Sequence, residues 1–418
     1  MSRILVIGAG ITGVTTAYTL NRLGYRVTVV DRHRYPAMET SYANGGQLSA
    51  SNAEVWNHPS TLAKGLKWMF TSSAPLLMNP RPSWHKYSWL AEFVAALSRY
   101  EENTIATTRM AIAAREHLFA MAEAEGIDFD LQRRGILHVY HDQAALRAAE
   151  RANRLLRQGG LERHAVTPAE IAGIEPALRG QYVGGFYTPS DATGDIHKFT
   201  RGLAAAAQRQ GVAFLHDTSV RAIRSHAGRL RAALGAQAGD AADTWEHEAD
   251  AIVICAGVGS RAIAAMAGDR LNVYPVKGYS ITVQLDDEAS IANAPWVSLL
   301  DERAKIVTSR LGERRFRVAG TAEFNGMNLD IRADRIEPLV RWVRANFAVD
   351  TSRVVPWAGL RPMMPDMMPR VRRGAMPGVY YNTGHGHLGW TLSGATAASV
   401  AALVDGDLRP AAAQRLRA

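Results

Sequence analysis

The chain has 418 residues, 47% of them hydrophobic and 21% charged, and 48 basic against 39 acidic residues give a net charge of +9. This length exceeds the size at which one hydrophobic core stops growing, so two domains are expected, and the composition excludes a disordered or fibrous protein. The single cysteine excludes an internal disulfide and a cysteine-based metal cluster, and we expect no metal site. The basic excess favours anionic lipid over nucleic acid, because no nucleic-acid-binding motif is present.

Residues 1–31 predict a dinucleotide-binding βαβ unit. An apolar strand at residues 4–7 leads into a G-x-G-x-x-G turn, a helix at 14–23 and a second strand at 26–30. The turn consists of Gly8, Ala9, Gly10, Ile11, Thr12 and Gly13. Its first glycine makes the tight turn, its second admits the pyrophosphate, and its third lets helix and strand pack closely. Asp31 ends the second strand, where a carboxylate binds ribose hydroxyls.

The turn alone leaves the dinucleotide open. A first strand so close to the N-terminus is typical of flavin enzymes, whereas Arg32 after Asp31 also suits an NADP 2′-phosphate. The following loop has small and polar residues that suit close contact with a flat ligand. Its expected contacts are Ser41, Asn44, Gly45, Gly46, Gln47 and Leu48.

Residues 62–93 combine aromatic and apolar residues with basic neighbours, and prolines interrupt any helix there. This composition fits a segment lying on a membrane surface, and it fits equally a loop packed under its own aromatics. The N-terminal apolar run is too short for a signal peptide, and no apolar run approaches transmembrane length. We therefore expect a cytoplasmic protein, peripheral on the cytoplasmic face of the inner membrane if residues 62–93 bind lipid.

Further along the chain, helices are expected at residues 100–126, 144–157, 196–210 and 336–347, and strands at 136–140, 212–215 and 251–255. Residues 221–245 predict a β-meander, and residues 273–318 a second, antiparallel sheet. The expected fold is α/β: a Rossmann-like domain with a second α+β domain built on an antiparallel sheet. The first domain is assigned residues 1–60, 190–270 and 350–418, and the second 61–189 and 271–349.

Three blocks of sequence resemble the D-amino acid oxidase/glycine oxidase superfamily, and most closely its D-amino acid dehydrogenase branch. They are residues 253–257 (Val-Ile-Cys-Ala-Gly), 357–366 (Trp-Ala-Gly-Leu-Arg-Pro-Met-Met-Pro-Asp) and 382–391 (Asn-Thr-Gly-His-Gly-His-Leu-Gly-Trp-Thr). Together with the glycine turn, the 43–49 loop and residues 274–279, they cover nearly the whole chain in the family's order. The resemblance implies FAD as cofactor, a D-amino acid as substrate, and oxidation by hydride transfer to flavin N5.

The resemblance also implies roles for individual residues. Arg361 would bind the substrate carboxylate, since a rigid guanidinium fork matches a planar carboxylate. Tyr279 would close the carboxylate pocket, and His385 and His387 would assist. The other expected FAD contacts lie in the blocks named above or between them: Val220, Ala256, Gly257, Gly359, Gly384, Gly386, Leu388, Gly389, Trp390 and Thr391.

The sequence departs from the family pattern after Asp366 and after Trp390, so the preferred side chain of the substrate stays open. A quinone or another respiratory-chain acceptor is the expected partner. The alternatives are a glycine/sarcosine-type oxidase that uses O₂, a D-proline or hydroxyproline dehydrogenase, and a flavoprotein subunit of a larger complex.

Overall fold

The structure, a computed structural model, describes residues 1–61, 75–226, 229–240 and 243–415. In this part of the chain the helices, in order, are α1 Ile11–Arg22, α2 Trp84–Ala95, α3 Tyr100–Glu125, α4 Gln143–Gln158, α5 Pro168–Ile174, α6 Ile196–Arg209, α7 Ser260–Met266, α8 Glu288–Asn293, α9 Ala333–Asn346 and α10 Gly389–Arg415. The strands are β1 Arg3–Ile7, β2 Arg26–Val30, β3 Gln47–Leu48, β4 Leu76–Met78, β5 Ile136–Tyr140, β6 His164–Val166, β7 Gly184–Thr188, β8 Ala192–Thr193, β9 Ala213–Leu215, β10 Thr218–His226, β11 Arg229–Ala236, β12 Trp245–Ala249, β13 Ala251–Ile254, β14 Tyr274–Gln284, β15 Ser298–Asp301, β16 Ile306–Leu311, β17 Arg315–Phe324, β18 Val354–Met363, β19 Arg370–Arg373 and β20 Val379–Thr383.

The first sheet has six strands in the order β19-β20-β13-β1-β2-β9, with the N-terminal strand near its centre. β1 pairs in parallel with both β2 and β13, and only the edge strand β19 is antiparallel. Continuous apolar runs suit such strands, because helices cover both faces of a parallel sheet. α1, α6 and α10 pack on one face around Val6, Leu203 and Val400. The expected Rossmann-like architecture is confirmed.

The second sheet follows the order β18-β14-β17-β16-β15-β5-β7-β6, with β4 added beside β17. Most neighbours are antiparallel, and only the pairs β15–β5 and β17–β4 are parallel. α9 packs on this sheet through Leu339 and Val343, against Ile281 and Phe316. The expected second sheet is therefore present, and it is longer than residues 273–318 alone.

β18 stays in this second sheet, where it pairs with β14 over ten residue pairs, from Tyr274↔Met363 to Val283↔Val354. The chain returns to the first sheet only at β19. The division into two domains, with a boundary at residue 350, stays a prediction. Within it, residues 354–363 belong to the hydrogen-bonded framework of the second sheet.

The expected membrane-surface segment is described only in part, since residues 62–74 lie outside the described ranges. The remainder forms β4 and α2, and its aromatic residues face two ways. Trp89 and Phe93 are buried in a core cluster, whereas Trp84 is 83% exposed. Lys86 is buried and donates to two backbone carbonyl groups, so it is not a free basic neighbour. In the described residues, none of the helices is both long and apolar enough to cross a membrane.

Candidate active site

A cavity of about 1740 Å³ runs from the carboxyl ends of β1 and β2 to the face of β14 and β18. Ligands of open α/β sheets bind at such carboxyl ends. Drug-sized ligands occupy roughly 300–1,000 Å³, so this cavity has room for a dinucleotide and a small substrate together. Of the sequence-predicted site residues, all but Gly13 and Leu48 line it. Leu48 lies instead in the core of the first sheet.

The glycine turn has the geometry that its sequence predicts. Gly8 has a φ of +108°, which disfavours any side chain, and a Cβ on it would lie 2.6 Å from the carbonyl oxygen of Cys255. A Cβ on Gly13 would lie 1.8 Å from the carbonyl oxygen of Gly8, so α1 and β1 pack too closely for any other residue. The first backbone N–H groups of α1 therefore face the cavity at its phosphate end.

Asp31 holds the turn as well as facing the cavity. Its carboxylate accepts from the Ala9 N–H at 2.6 Å and from the His33 N–H at 2.8 Å. Burial raises the pKa of this carboxyl, and the two backbone hydrogen bonds oppose that rise. Arg32 forms an ion pair with Glu39. An arginine already paired with a carboxylate is poorly suited to a 2′-phosphate, which argues against NADP.

The 41–49 loop is clamped between the two sheets. The Ser41 hydroxyl accepts from the Ile11 N–H at 3.1 Å, and Arg317 of β17 donates to the Asn44 carbonyl at 3.0 Å. Cβ atoms on Gly45 and Gly46 would approach side chains of β16 to 2.8 and 2.9 Å. Paired glycines are needed here because the loop backbone lies directly against the second sheet.

The third wall of the cavity is the start of α10. Gly389 begins this helix, and the Thr391 hydroxyl accepts from the Ser49 N–H at 3.2 Å. The His387 ring stacks on Trp56 with centroids 4.9 Å apart. Buried Nδ1 of His387 and buried Nε1 of Trp390 have no hydrogen-bond partner among the described residues. A helix N-terminus, two unsatisfied buried polar atoms and a glycine-lined wall fit a flat ring with hydrogen-bond acceptors at its edge, such as flavin.

Arg361 on β18 faces the cavity over Gly278 of β14. Its guanidinium donates to the Thr321 carbonyl at 3.1 Å, and no carboxylate lies within 4.0 Å of it in the described part of the chain. Burial lowers its pKa to about 10, so the side chain still carries its charge at neutral pH. Thr321 has a φ of +59°, next to the point where the β14–β17 register shifts. Such irregularities re-aim groups beside active sites.

The structure does not bring Tyr279 to this arginine. Adjacent residues of a strand face opposite sides of the sheet, and Gly278 faces Arg361. The Tyr279 ring packs in the core under α9, and its hydroxyl donates to Glu323 at 2.7 Å. The Tyr279 hydroxyl therefore already has a carboxylate partner within the protein, and its expected contact with the substrate carboxylate stays a prediction.

The ring of His385 is also hydrogen-bonded to another residue of the protein. Its Nε2 atom pairs with the Thr396 hydroxyl of α10 at 2.9 Å, and burial lowers its pKa to about 3. A neutral, internally paired imidazole of this kind orients the loop before α10. The geometry gives it no contact with Arg361.

Several cavity residues carried no sequence motif that singled them out. They include the aromatic and ionisable side chains of Glu54, Trp56, Tyr100, His138, Tyr140, Arg163, Glu302 and Lys305. These residues come from separate stretches of the chain. The one usable signal is Glu54, a carboxylate within a small, otherwise uncharged stretch after the glycine loop.

Comparisons with known proteins agree with this geometry. The family described as FAD dependent oxidoreductase matches residues 3–403. "D-amino acid dehydrogenase 3" of Mesorhizobium japonicum is 64% identical over 98% of each chain, and the D-amino acid dehydrogenase of Paramagnetospirillum magneticum is 42% identical over 98% of this chain and 96% of that one. Among solved structures, glycine oxidase from Geobacillus kaustophilus has a TM-score of 0.73 at 20% identity, covering 97% of this chain and 95% of that chain. L-proline dehydrogenase from P. horikoshii has a TM-score of 0.74 at 16% identity, covering 97% and 94%.

Proposed function

Because this chain belongs to the family of FAD dependent oxidoreductases, we propose that it is a D-amino acid dehydrogenase in which Arg361 binds the substrate carboxylate. The observation that carries the proposal is a partly buried arginine that lines the cavity and has no carboxylate partner in the described part of the chain. Leaving a buried charge unpaired is unfavourable, so such a residue is suited to an anionic ligand. An α-amino acid supplies that anion.

Two relatives support this substrate class. Both the 64% and the 42% identical relatives are named D-amino acid dehydrogenases, and each aligns over nearly its whole length. The solved structures support only the fold, since their identities are 20% and 16%. The proposal therefore rests on the close relatives and on Arg361 together.

The chemistry assigned to the chain is mainly binding and orientation. FAD, when bound, supplies the hydride acceptor. Arg361 would hold the carboxylate by two parallel hydrogen bonds, and the neighbouring Trp357 ring would exclude water from the reacting carbon. With both in place, the α-hydrogen is directed at the acceptor, and the amine lone pair forms the C=N bond as the hydride leaves. Water then hydrolyses the imino acid to a 2-oxo acid and ammonia.

The test is anaerobic bleaching of the flavin by a panel of D- and L-amino acids. Bleaching by several D-amino acids, and not by their L-enantiomers, is the expected result. Reoxidation is then followed with O₂, with a dye and with a short-chain quinone. Fast reaction with O₂ alone would show that the enzyme is an oxidase and not a dehydrogenase. Bleaching by L-amino acids would refute the proposed specificity for D-amino acids.

For the acceptor, we propose a quinone reached at a membrane surface. Large exposed apolar side chains support this: Trp84 and Tyr87 of α2, and Met327, Leu329 and Ile331 of the loop after β17. β4 pairs with β17, and the Asn79 side chain just after β4 donates to the Asn325 side chain just after β17. Lys86 of α2 donates to the Asn79 carbonyl, so α2 is connected to the end of β4. Exposed apolar residues on a protein with net charge +9 suit an anionic lipid surface.

A further inference from the structure

A carboxylate, Glu54, faces the cavity without a cationic partner. Between residues 52 and 56 buried and partly exposed residues alternate, and the partly exposed Asn52, Glu54 and Trp56 line the cavity. The Tyr100 hydroxyl donates to Glu54 at 2.5 Å. No lysine, arginine or histidine nitrogen of the described residues lies within 4.0 Å of its carboxylate.

Three charged groups act on Glu54: Glu302 raises the pKa of its carboxyl, and Lys305 and Arg163 lower it. Glu302 is the charged neighbour with the largest effect on Glu54, and it is itself paired with Lys305 at 2.5 Å. His138 lies beside Glu302, but burial lowers its pKa to about 4 and keeps it neutral. Arg163 forms no ion pair with Glu54 within 4.0 Å among the described residues, and its guanidinium lies on the ring of Phe186 at 4.6 Å.

Burial and the charge of Glu302 together raise the pKa of Glu54. A cation placed between the two carboxylates would offset both effects, since opposite charges at short range favour the ionised form. A neutral ligand would supply no such opposite charge.

Glu54 and Arg361 lie along one wall of the cavity. Trp56, two residues after Glu54, stacks on His387, and Asn52, two residues before it, accepts from His387 through its carbonyl at 3.3 Å. The charge of Arg361 acts on the His387 ring in turn. Glu54 and Arg361 are therefore linked through the stacked rings of Trp56 and His387, which line the cavity between them in this chain of contacts.

We propose that the cavity selects D-amino acids whose side chain ends in an ammonium or guanidinium group, with Glu54 as the residue that binds this cation. This inference rests on the proposed function, in which Arg361 binds the α-carboxylate. Among the residues that the structure describes, Arg361, which has no carboxylate within 4.0 Å, would bind the α-carboxylate, and Glu54, which has no cationic nitrogen within 4.0 Å, would bind the side-chain cation of the same substrate.

The experiment compares pairs of substrates that differ in side-chain charge and little in shape: D-arginine against D-citrulline, and D-lysine against D-norleucine. Hydrogen bonds to charged groups are worth about 1.5–3 kcal/mol, so kcat/KM should favour the cationic member by about tenfold or more. In Glu54→Gln the preference should fall to about threefold or less, mainly through a higher KM for the cationic member, while the FAD content stays normal.

Glu101→Gln is the matched control, because Glu101 is an exposed carboxylate at the same cavity with no contact to Glu54 in the described hydrogen bonds. This variant should keep the wild-type preference. Glu54→Lys provides a second test that does not depend on Glu54→Gln folding well, since it should favour D-glutamate over D-glutamine.

Normal bleaching by D-amino acids with equal kcat/KM for the charged and neutral members would overturn this inference and leave the proposed function intact. A Glu54→Gln variant that slows both members equally would overturn it in the same way. If no D-amino acid bleaches the flavin of a FAD-loaded protein, the proposed function itself fails and this inference fails with it.

Discussion

The guanidinium of Arg361 lies directly over Gly278: a Cβ on residue 278 would be 2.4 Å from the guanidinium carbon and both terminal nitrogens. The two residues are on paired strands, where Gly278 is opposite Gly359 and Arg361 is opposite Val276. The absence of a side chain at 278 is therefore what allows the arginine to lie flat on the sheet. The position of Arg361, the proposed carboxylate-binding residue, therefore depends on a glycine in the neighbouring strand.

Gly278→Ala should displace Arg361 while leaving the fold intact, because Gly278 does not have a positive φ. A misplacement of about 1 Å in a positioning group can cost about 10²-fold in rate, and we expect a loss of that order in kcat/KM for the best D-amino acid. FAD content should stay normal. Gly173→Ala, where an added Cβ meets nothing within 4 Å, is the control and should behave as wild type.

Arg361→Leu should leave the substrate carboxylate without a partner in the cavity. Breaking a buried charge pair costs about 3–5 kcal/mol, which corresponds to a loss of about 10²–10⁴ in kcat/KM. Arg361→Lys should recover only part of the activity, since a point charge cannot form the two-pronged contact. Kinetics on D-amino acids, beside an amine that lacks the carboxylate, provide the measurement. A loss below tenfold with normal FAD content would show that Arg361 is structural.

FAD should be bound without a covalent link. The one thiol, Cys255, is buried in the core of the first sheet, and burial raises its pKa to about 12, which keeps it protonated and unreactive. Nε2 of His385 and Nε2 of His387 are both engaged with protein oxygen atoms. Acid precipitation should release the yellow colour into the supernatant. Flavin that stays with the precipitated chain would contradict this prediction.

Binding to anionic vesicles at low salt should depend on α2. Trp84→Ser combined with Tyr87→Ser removes exposed apolar area and should release the protein without changing turnover with a soluble dye. Trp245→Ser is the control, because Trp245 is 47% exposed and lies on β12, in the three-stranded sheet β10-β11-β12. If the wild-type protein fails to sediment with such vesicles, this surface does not bind membranes and the segment is an ordinary packed loop.

Stability should fall as the pH drops below about 6.5. Burial lowers the pKa values of His138 and His387 to about 4 and that of His385 to about 3. The unfolded chain, with its ordinary histidine pKa of 6.5, therefore binds more protons than the folded chain in this window. Each group removes about 1.4 kcal/mol of folding free energy per pH unit until its folded-state pKa is reached.

The measurement is Tm against pH between 7 and 4. His138→Gln should reduce the slope, because one of the histidines whose pKa is strongly lowered in the folded protein is removed. A Tm that does not change between pH 7 and 5 would show that these imidazoles are already protonated in the folded protein.

The sequence alone determined the βαβ unit, the glycine turn and the position of Asp31, because short-range geometry requires those residue types at that spacing. It also placed Arg361 in the site, through a resemblance to known sequences that extends over most of the chain. The bounds of α3, α4 and α6 agree with the expected helices within one residue, since their apolar residues recur at the helical period.

Only the tertiary structure decided which way Tyr279 faces. Alternating polar and apolar residues reveal which way a strand faces when one side of the sheet is exposed to solvent. In β14, however, ten of the eleven residues are buried, on both faces of the sheet. Because neither face of β14 is exposed to solvent, the sequence does not indicate which of Gly278 and Tyr279 faces the cavity. The same is true of Glu54, whose neighbours Tyr100 and Glu302 are distant in sequence, so its missing cationic partner became visible only once the chain was folded.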